Sequence, residues 1–121
     1  AVIEPAAVVS MAFRMLQNRF YSAVCVTGLG PMGLLTALML KDWGAGRIFT
    51  VEANEQRAEY GRKLGLEVLN PKDTDVASYI LQETEGEGVD VLIEASGSGA
   101  VAKSMTDYVG VRGEILLLSV I

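Results

Sequence analysis

Three glycines, Gly28, Gly30 and Gly33, stand in the stretch VTGLGPMGLLTAL, and an acid, Glu52, follows nineteen positions after the last of them. Glycines in the order G-x-G-x-x-G can cradle a pyrophosphate. Gly28 would allow a tight turn, Gly30 would let the phosphates approach the backbone with no Cβ in the way, and Gly33 would let a helix pack closely on the preceding strand. The phosphates would sit on free N–H groups at the positive end of that helix, with Met32 and Gly33 as donors. Pro31 has no N–H and instead pre-sets the first turn. Glu52 closes the run IFTVE, where a carboxylate accepts hydrogen bonds from the hydroxyls of an adenosine ribose. It would also repel a 2′-phosphate, which favours NAD over NADP. Arg57, five positions further on, could lie against the adenine or could tolerate a 2′-phosphate, which keeps NADP as the minority reading.

These residues need strands and helices to hold them, and the chain alternates the two. Short apolar, β-branched runs at Ala23–Thr27, Arg47–Val51, Glu67–Leu69, Val89–Ile93 and Glu114–Val120 read as strands covered on both faces. Helical spacing occupies Pro31–Trp43, Asn54–Leu64, Thr74–Glu83 and Ser98–Val109, and a further helix is expected ahead of them over Pro5–Gln17. Pro31 suits a first turn, Asn54 a cap, and Gly44, Gly65 and Gly110 suit helix stops. The order implies an α/β fold, a doubly wound parallel sheet in one domain covering residues 1–121.

The chain has 121 residues, half of them hydrophobic, enough for one modest core. A net charge of −5 argues against non-specific binding to nucleic acid. No apolar run reaches the roughly 18 residues needed to span a bilayer. The order Glu4, Pro5 near the start does not resemble a signal peptide, and Cys25, the single cysteine, fits a reducing cytoplasm. Histidine, the commonest general base and metal ligand, is absent. Other readings of the glycines are a plain strand–turn–helix joint, a short-chain reductase or a methyltransferase. The reductase pattern needs Tyr-x-x-x-Lys, and Tyr60–Lys63 is one residue short of it; methyltransferases usually lack the third glycine in this register.

With these residues in view, the sequence resembles the cofactor-binding domain of the medium-chain, zinc-type alcohol, polyol and threonine dehydrogenases. The blocks EPAAVV, VTGLGPMGLL, GAGRI, VEANEQR, LGLEVLNPKD, GVDVLIEASGS and GVRGEILLLSV carry that resemblance in matching order. It implies a Rossmann-type sheet of strand order 3-2-1-4-5. It also implies that Ala95 and Ser96 lie beside the ribose and nicotinamide, and that the backbone of Leu118, Ser119 and Val120 meets the carboxamide. As plain structure, both stretches are the ends of buried strands. Zinc would belong to a catalytic domain missing from this chain. Glu4 matches a glutamate that can sit at that zinc, but here it reads better as a charge near a helix N-terminus.

No catalytic residue and no metal ligand is assigned. Asp90, Glu94 and Asp107 are the carboxylates nearest the expected cleft, and they read as a strand start, a strand end and a solvated helix face. The family's sixth strand is also missing, so Glu114–Ile121 is expected to form an open edge through which a homodimer could pair. The chain is expected to be the NAD(H)-binding part of a longer dehydrogenase that passes hydride between a secondary alcohol or polyol and nicotinamide. The alternative is a stand-alone NAD-binding, sensing or interaction module without activity.

Overall fold

A computed structural model describes residues 23–42, 44 and 46–95, and the backbone of 109–117. The elements run β1 (Ala23–Thr27), α1 (Pro31–Asp42), β2 (Arg47–Val51), α2 (Glu55–Lys63), β3 (Glu67–Leu69), α3 (Val76–Glu83), β4 (Val89–Glu94) and β5 (Val109–Leu117). All strand pairs are parallel, in the order β3-β2-β1-β4-β5. The chain therefore winds outward from β1 to β3, then crosses back to place β4 on the other side of β1. The carboxyl ends of β1 and β4 diverge at that reversal, where open α/β sheets hold their ligands.

Every residue of β1 is buried, as expected of a central parallel strand covered on both faces. Alternation divides its side chains between two cores. Val24 and Val26 pack with Ala37 and Leu40 of α1, Ala58 of α2, and Val91 and Ile93 of β4. Ala23 and Cys25 face the other way, with Phe49, Val51, Leu92 and Ile80 of α3. Register supports both layers, since Cys25 lies level with Phe49 on one side and Leu92 on the other. Burying a side chain as large as Phe49 contributes ~1.5–3 kcal/mol.

Local chemistry sets the helix limits. The Asn54 side chain accepts the Arg57 N–H at 3.1 Å to start α2. Gly65, at φ +89°, turns the chain after the helix has ended. Helix α3 starts at Val76 instead of Thr74, because Asp75 takes the cap and accepts the Ser78 N–H at 3.2 Å. Helix α1 ends at Asp42, and Trp43 lies outside the described residues.

The last strand departs most from expectation. It begins at Val109, five residues before the expected Glu114, so Val109 and Gly110 belong to a strand and do not end a helix. Residues 110–113 stand opposite the single residue Asp90, between the pairs Val89–Val109 and Val91–Glu114. A glycine within a strand often marks such an irregularity, and Gly110 and Gly113 both fall here. The remainder of the expected helix Ser98–Val109, the helix over Pro5–Gln17 and the strand end Leu118–Val120 lie outside the described residues.

Candidate functional site

The glycine loop occupies the turn from β1 into α1, at the carboxyl end of the central strand. Gly28 has φ +89° and donates its N–H to Val51 O at 2.8 Å, so the turn is tied to the end of β2. A side chain on Gly33 would place its Cβ 1.7 Å from Gly28 O and 3.3 Å from the Ala95 Cβ. Gly33 is thus required for the helix to start directly against the loop. Gly30 differs, because the nearest atom to a Cβ built there is Arg57 Nη1 at 3.9 Å. Among the described residues nothing else fills that space, which leaves it open to an approaching ligand.

Helix α1 closes its first hydrogen bond from Leu34 N–H to Gly30 O at 2.9 Å. Met32 and Gly33 stand before that bond, so their N–H groups have no acceptor one turn back within the helix. With the helix dipole they form a concave, positive surface suited to an anion.

Glu52 follows β2 directly and is 8 % exposed. Its Oε1 accepts the Leu29 N–H at 2.8 Å and its Oε2 accepts the Asn54 N–H at 2.9 Å. One bond fixes the carboxylate to the glycine loop and the other to the cap of α2. A carboxylate offers about four acceptor positions. Two are used here, so two remain for hydroxyls arriving from outside. The exposed Arg57 reaches back from α2 toward Gly30, and its guanidinium makes no ion pair among the described residues.

The sequence thus placed Gly28, Gly30, Met32, Gly33, Glu52 and Arg57 together, and the fold brings them to one crevice. Ala95 joins them through its N–H, which donates to Thr27 O at 2.8 Å. Ser96, Leu118, Ser119 and Val120 lie outside the described residues.

Asp90 and Glu94 lie at the start and the end of β4, as expected, and both are held there by hydrogen bonds. Glu94 is 5 % exposed, and the Thr27 hydroxyl donates to its Oε2 at 2.7 Å. Asp90 is half-buried and accepts the Ala23 N–H at 3.0 Å, which ties the starts of β4 and β1 together. A buried carboxylate needs such partners to offset its desolvation. The only hint of the Thr27–Glu94 pair in the sequence is one polar residue ending each of two apolar runs. Asp107 lies outside the described residues.

The strongest electrostatic shifts belong to the opposite end of the sheet. Arg47 hydrogen-bonds Glu67 and Glu83, which raises its pKa further, and its guanidinium stands 4.7 Å over the Phe49 ring. The same arginine bonds hold the Glu67 carboxyl below its usual range, and Glu67 in turn pushes the Tyr79 phenol up. That network fastens β2, β3 and α3 together at the start of the strands.

A catalytic zinc needs at least three protein ligands, drawn from Cys, His and carboxylate side chains. The chain has no histidine, and Cys25 is fully buried inside β1. Among the described residues no group of three such side chains could hold a metal ion. The described residues therefore do not fit zinc, whereas the loop, the helix terminus and Glu52 do fit a dinucleotide. No helix among the described residues is long and apolar enough to cross a membrane.

Residues 31–121 match the family described as zinc-binding dehydrogenase. The 2-dehydro-3-deoxy-L-galactonate 5-dehydrogenase of Pseudoalteromonas atlantica is 35 % identical over 120 residues, which are 99 % of this chain and 35 % of that protein. The (R,R)-butanediol dehydrogenase of Bacillus subtilis is 32 % identical over 120 residues, again 99 % of this chain and 35 % of the relative. The crystal structure of 2R,3R-butanediol dehydrogenase from Bacillus subtilis superimposes with a TM-score of 0.77 at 33 % identity, covering 98 % of this chain and 34 % of that one. The chain thus spans about a third of the length of these relatives. By the family match and by the fold it shares with solved alcohol and polyol dehydrogenases, it belongs to the medium-chain, zinc-type dehydrogenase family.

Proposed function

We propose that this chain is the NAD(H)-binding part of a dehydrogenase that moves hydride between a secondary alcohol or polyol and nicotinamide. The observation that carries the reading is the Glu52 carboxylate, held at 2.8 and 2.9 Å by two backbone N–H groups beside the open glycine loop. When bound, the dinucleotide supplies the hydride chemistry, and this chain supplies binding and orientation. Met32 and Gly33 would donate to the pyrophosphate, Gly30 would leave room for it, and Arg57 would offset its charge. The two open acceptor positions of Glu52 would take the adenosine ribose hydroxyls. Ala95 and Ser96, with the backbone of Leu118, Ser119 and Val120, would meet the nicotinamide half. The butanediol relative supports a substrate bearing a secondary alcohol.

Glu52 also decides between cofactors. Two unit charges about 4 Å apart repel by ~1 kcal/mol in water and ~4 kcal/mol at the effective dielectric near a protein surface. A 2′-phosphate beside this carboxylate would meet that repulsion, so NAD is preferred. We place the protein in the cytoplasm, consistent with a single, reduced cysteine. The donor set favours one alternative for the chain by itself, a module that binds NAD without turning over alcohol.

Titration with NADH and NADPH tests the reading, followed by nicotinamide fluorescence and energy transfer from Trp43, the single tryptophan. Saturable NADH binding that weakens in Glu52→Ala is expected. Equal affinity for both dinucleotides in wild type and variant would overturn the cofactor assignment.

A further inference from the structure

We propose that Thr27 and Glu94 form a positioning pair that holds the floor of the dinucleotide crevice, an inference that rests on the cofactor reading above. The two residues face each other across the reversal in strand order, as level partners at the carboxyl ends of β1 and β4. Their side chains lie on the Cys25–Leu92 face of the sheet, away from α1. Thr27 is fully buried and Glu94 is 5 % exposed. The hydroxyl donates to Glu94 Oε2 at 2.7 Å and also lies 3.4 Å from Ile93 O.

Placement gives this pair leverage over the loop. Thr27 immediately precedes Gly28, whose carbonyl lies 1.7 Å from where a Gly33 Cβ would stand. Ala95 immediately follows Glu94, donates to Thr27 O at 2.8 Å, and limits the same Gly33 position from the other side. A drift of the Thr27–Glu94 contact would therefore move Gly28 and Ala95 relative to the start of α1. Glu52 holds the next part of the loop in a similar way through the Leu29 N–H. Two buried carboxylates, Glu52 just after β2 and Glu94 at the end of β4, thus grip consecutive segments of the cradle.

The chemistry also argues against a role in stability alone. Val89, Val91, Leu92 and Ile93 of β4 are all at most 1 % exposed, and an apolar residue would continue that pattern. Replacing both partners of a buried hydrogen bond with apolar groups of the same shape can be nearly neutral or stabilising. A carboxylate at the crevice end of this strand offers directional hydrogen bonding that a valine or leucine cannot.

The test is NADH titration of the 121-residue chain and its variants, with thermal unfolding of each measured without cofactor. Thr27→Val keeps the shape and removes the donor, and its Kd for NADH is expected to rise about tenfold, the scale of one buried hydrogen bond. Thr27→Ser restores the hydroxyl and is expected to return Kd to within about threefold of wild type. Glu94→Gln, which can still accept from Thr27, should bind better than Glu94→Ala. If Glu94→Ala fails to fold, the threonine series carries the test. Wild-type affinity in Thr27→Val, whatever its melting temperature, overturns the pair while leaving the cofactor reading intact. A wild-type chain that binds no dinucleotide overturns both.

Discussion

Replacing Gly33 with alanine is the sharpest probe of the loop. The new Cβ would fall 1.7 Å from Gly28 O and 2.9 Å from Gly28 C, both backbone atoms that no rotamer change can move aside. Reaching ordinary van der Waals distance requires the loop or the helix to shift on the order of 1.5 Å. Such a shift strains the bonds from Gly28 N to Val51 O and from Leu29 N to Glu52 Oε1, both 2.8 Å. Overpacking of this kind costs ~1–3 kcal/mol. At roughly 4 °C per kcal/mol for a domain of this size, melting should fall by about 4–12 °C. The Met32 and Gly33 N–H groups would move as well. Each hydrogen bond to a charged group is worth ~1.5–3 kcal/mol, so NADH affinity should fall about a hundredfold. Gly30→Ala is the matched control, since among the described residues its Cβ would meet nothing nearer than Arg57 Nη1 at 3.9 Å. That variant should melt within about 0.5 kcal/mol of wild type and still lose NADH affinity. Calorimetry and fluorescence titration on the two variants separate the roles. A Gly33→Ala chain with wild-type melting and wild-type affinity would refute the steric reasoning.

Other outcomes follow from the same structure. Glu52→Gln should weaken NADH and improve NADPH, shifting their Kd ratio by at least about fivefold, the effect of removing ~1–4 kcal/mol of charge repulsion. Phe49→Ala empties the core beneath Arg47 and Tyr79 and should cost ~3–5 kcal/mol in chemical denaturation. Asn54→Ala removes the α2 cap and should cost ~1 kcal/mol in the same assay. Glu67 has a folded pKa below its ordinary value of 4.5, with hydrogen bonds from Arg47 as the main cause. Its stabilising contribution is therefore full above 4.5 and disappears as pH falls through the lowered folded value. Glu67→Gln should flatten that part of the acid-unfolding curve; an unchanged curve would show that the network contributes nothing.

The glycine loop was legible because its chemistry is local. Turn, approach and packing each demand a residue without a Cβ, and the strand and helix on either side are read from adjacent residues. Glu52 was legible for a related reason, since one βαβ unit fixes its distance from the loop. The Thr27–Glu94 contact was not, because its partners are 67 positions apart and meet only when β4 is laid beside β1. An acid after an apolar run looks the same in the sequence whether it ends in solvent or beneath a crevice. The start of β5 was hidden by Gly110, which serves equally as a helix stop and as a residue tolerated in an irregular strand. At α3, Thr74 and Asp75 are both capable caps, and only the Ser78 N–H donating to the Asp75 carboxylate distinguishes them.

Cys25 occupies the middle of the central strand, level with Phe49 and Leu92 and fully buried between two helical layers. A thiol reagent can reach that sulfur only after the layer covering it lifts, and Ile80 of α3 packs in that layer. The chain thus carries a built-in clock, in which the rate of alkylation counts openings of that core layer and ignores motions confined to loops. Saturating dinucleotide should slow that clock in proportion to how tightly it clamps the far ends of β1 and β4.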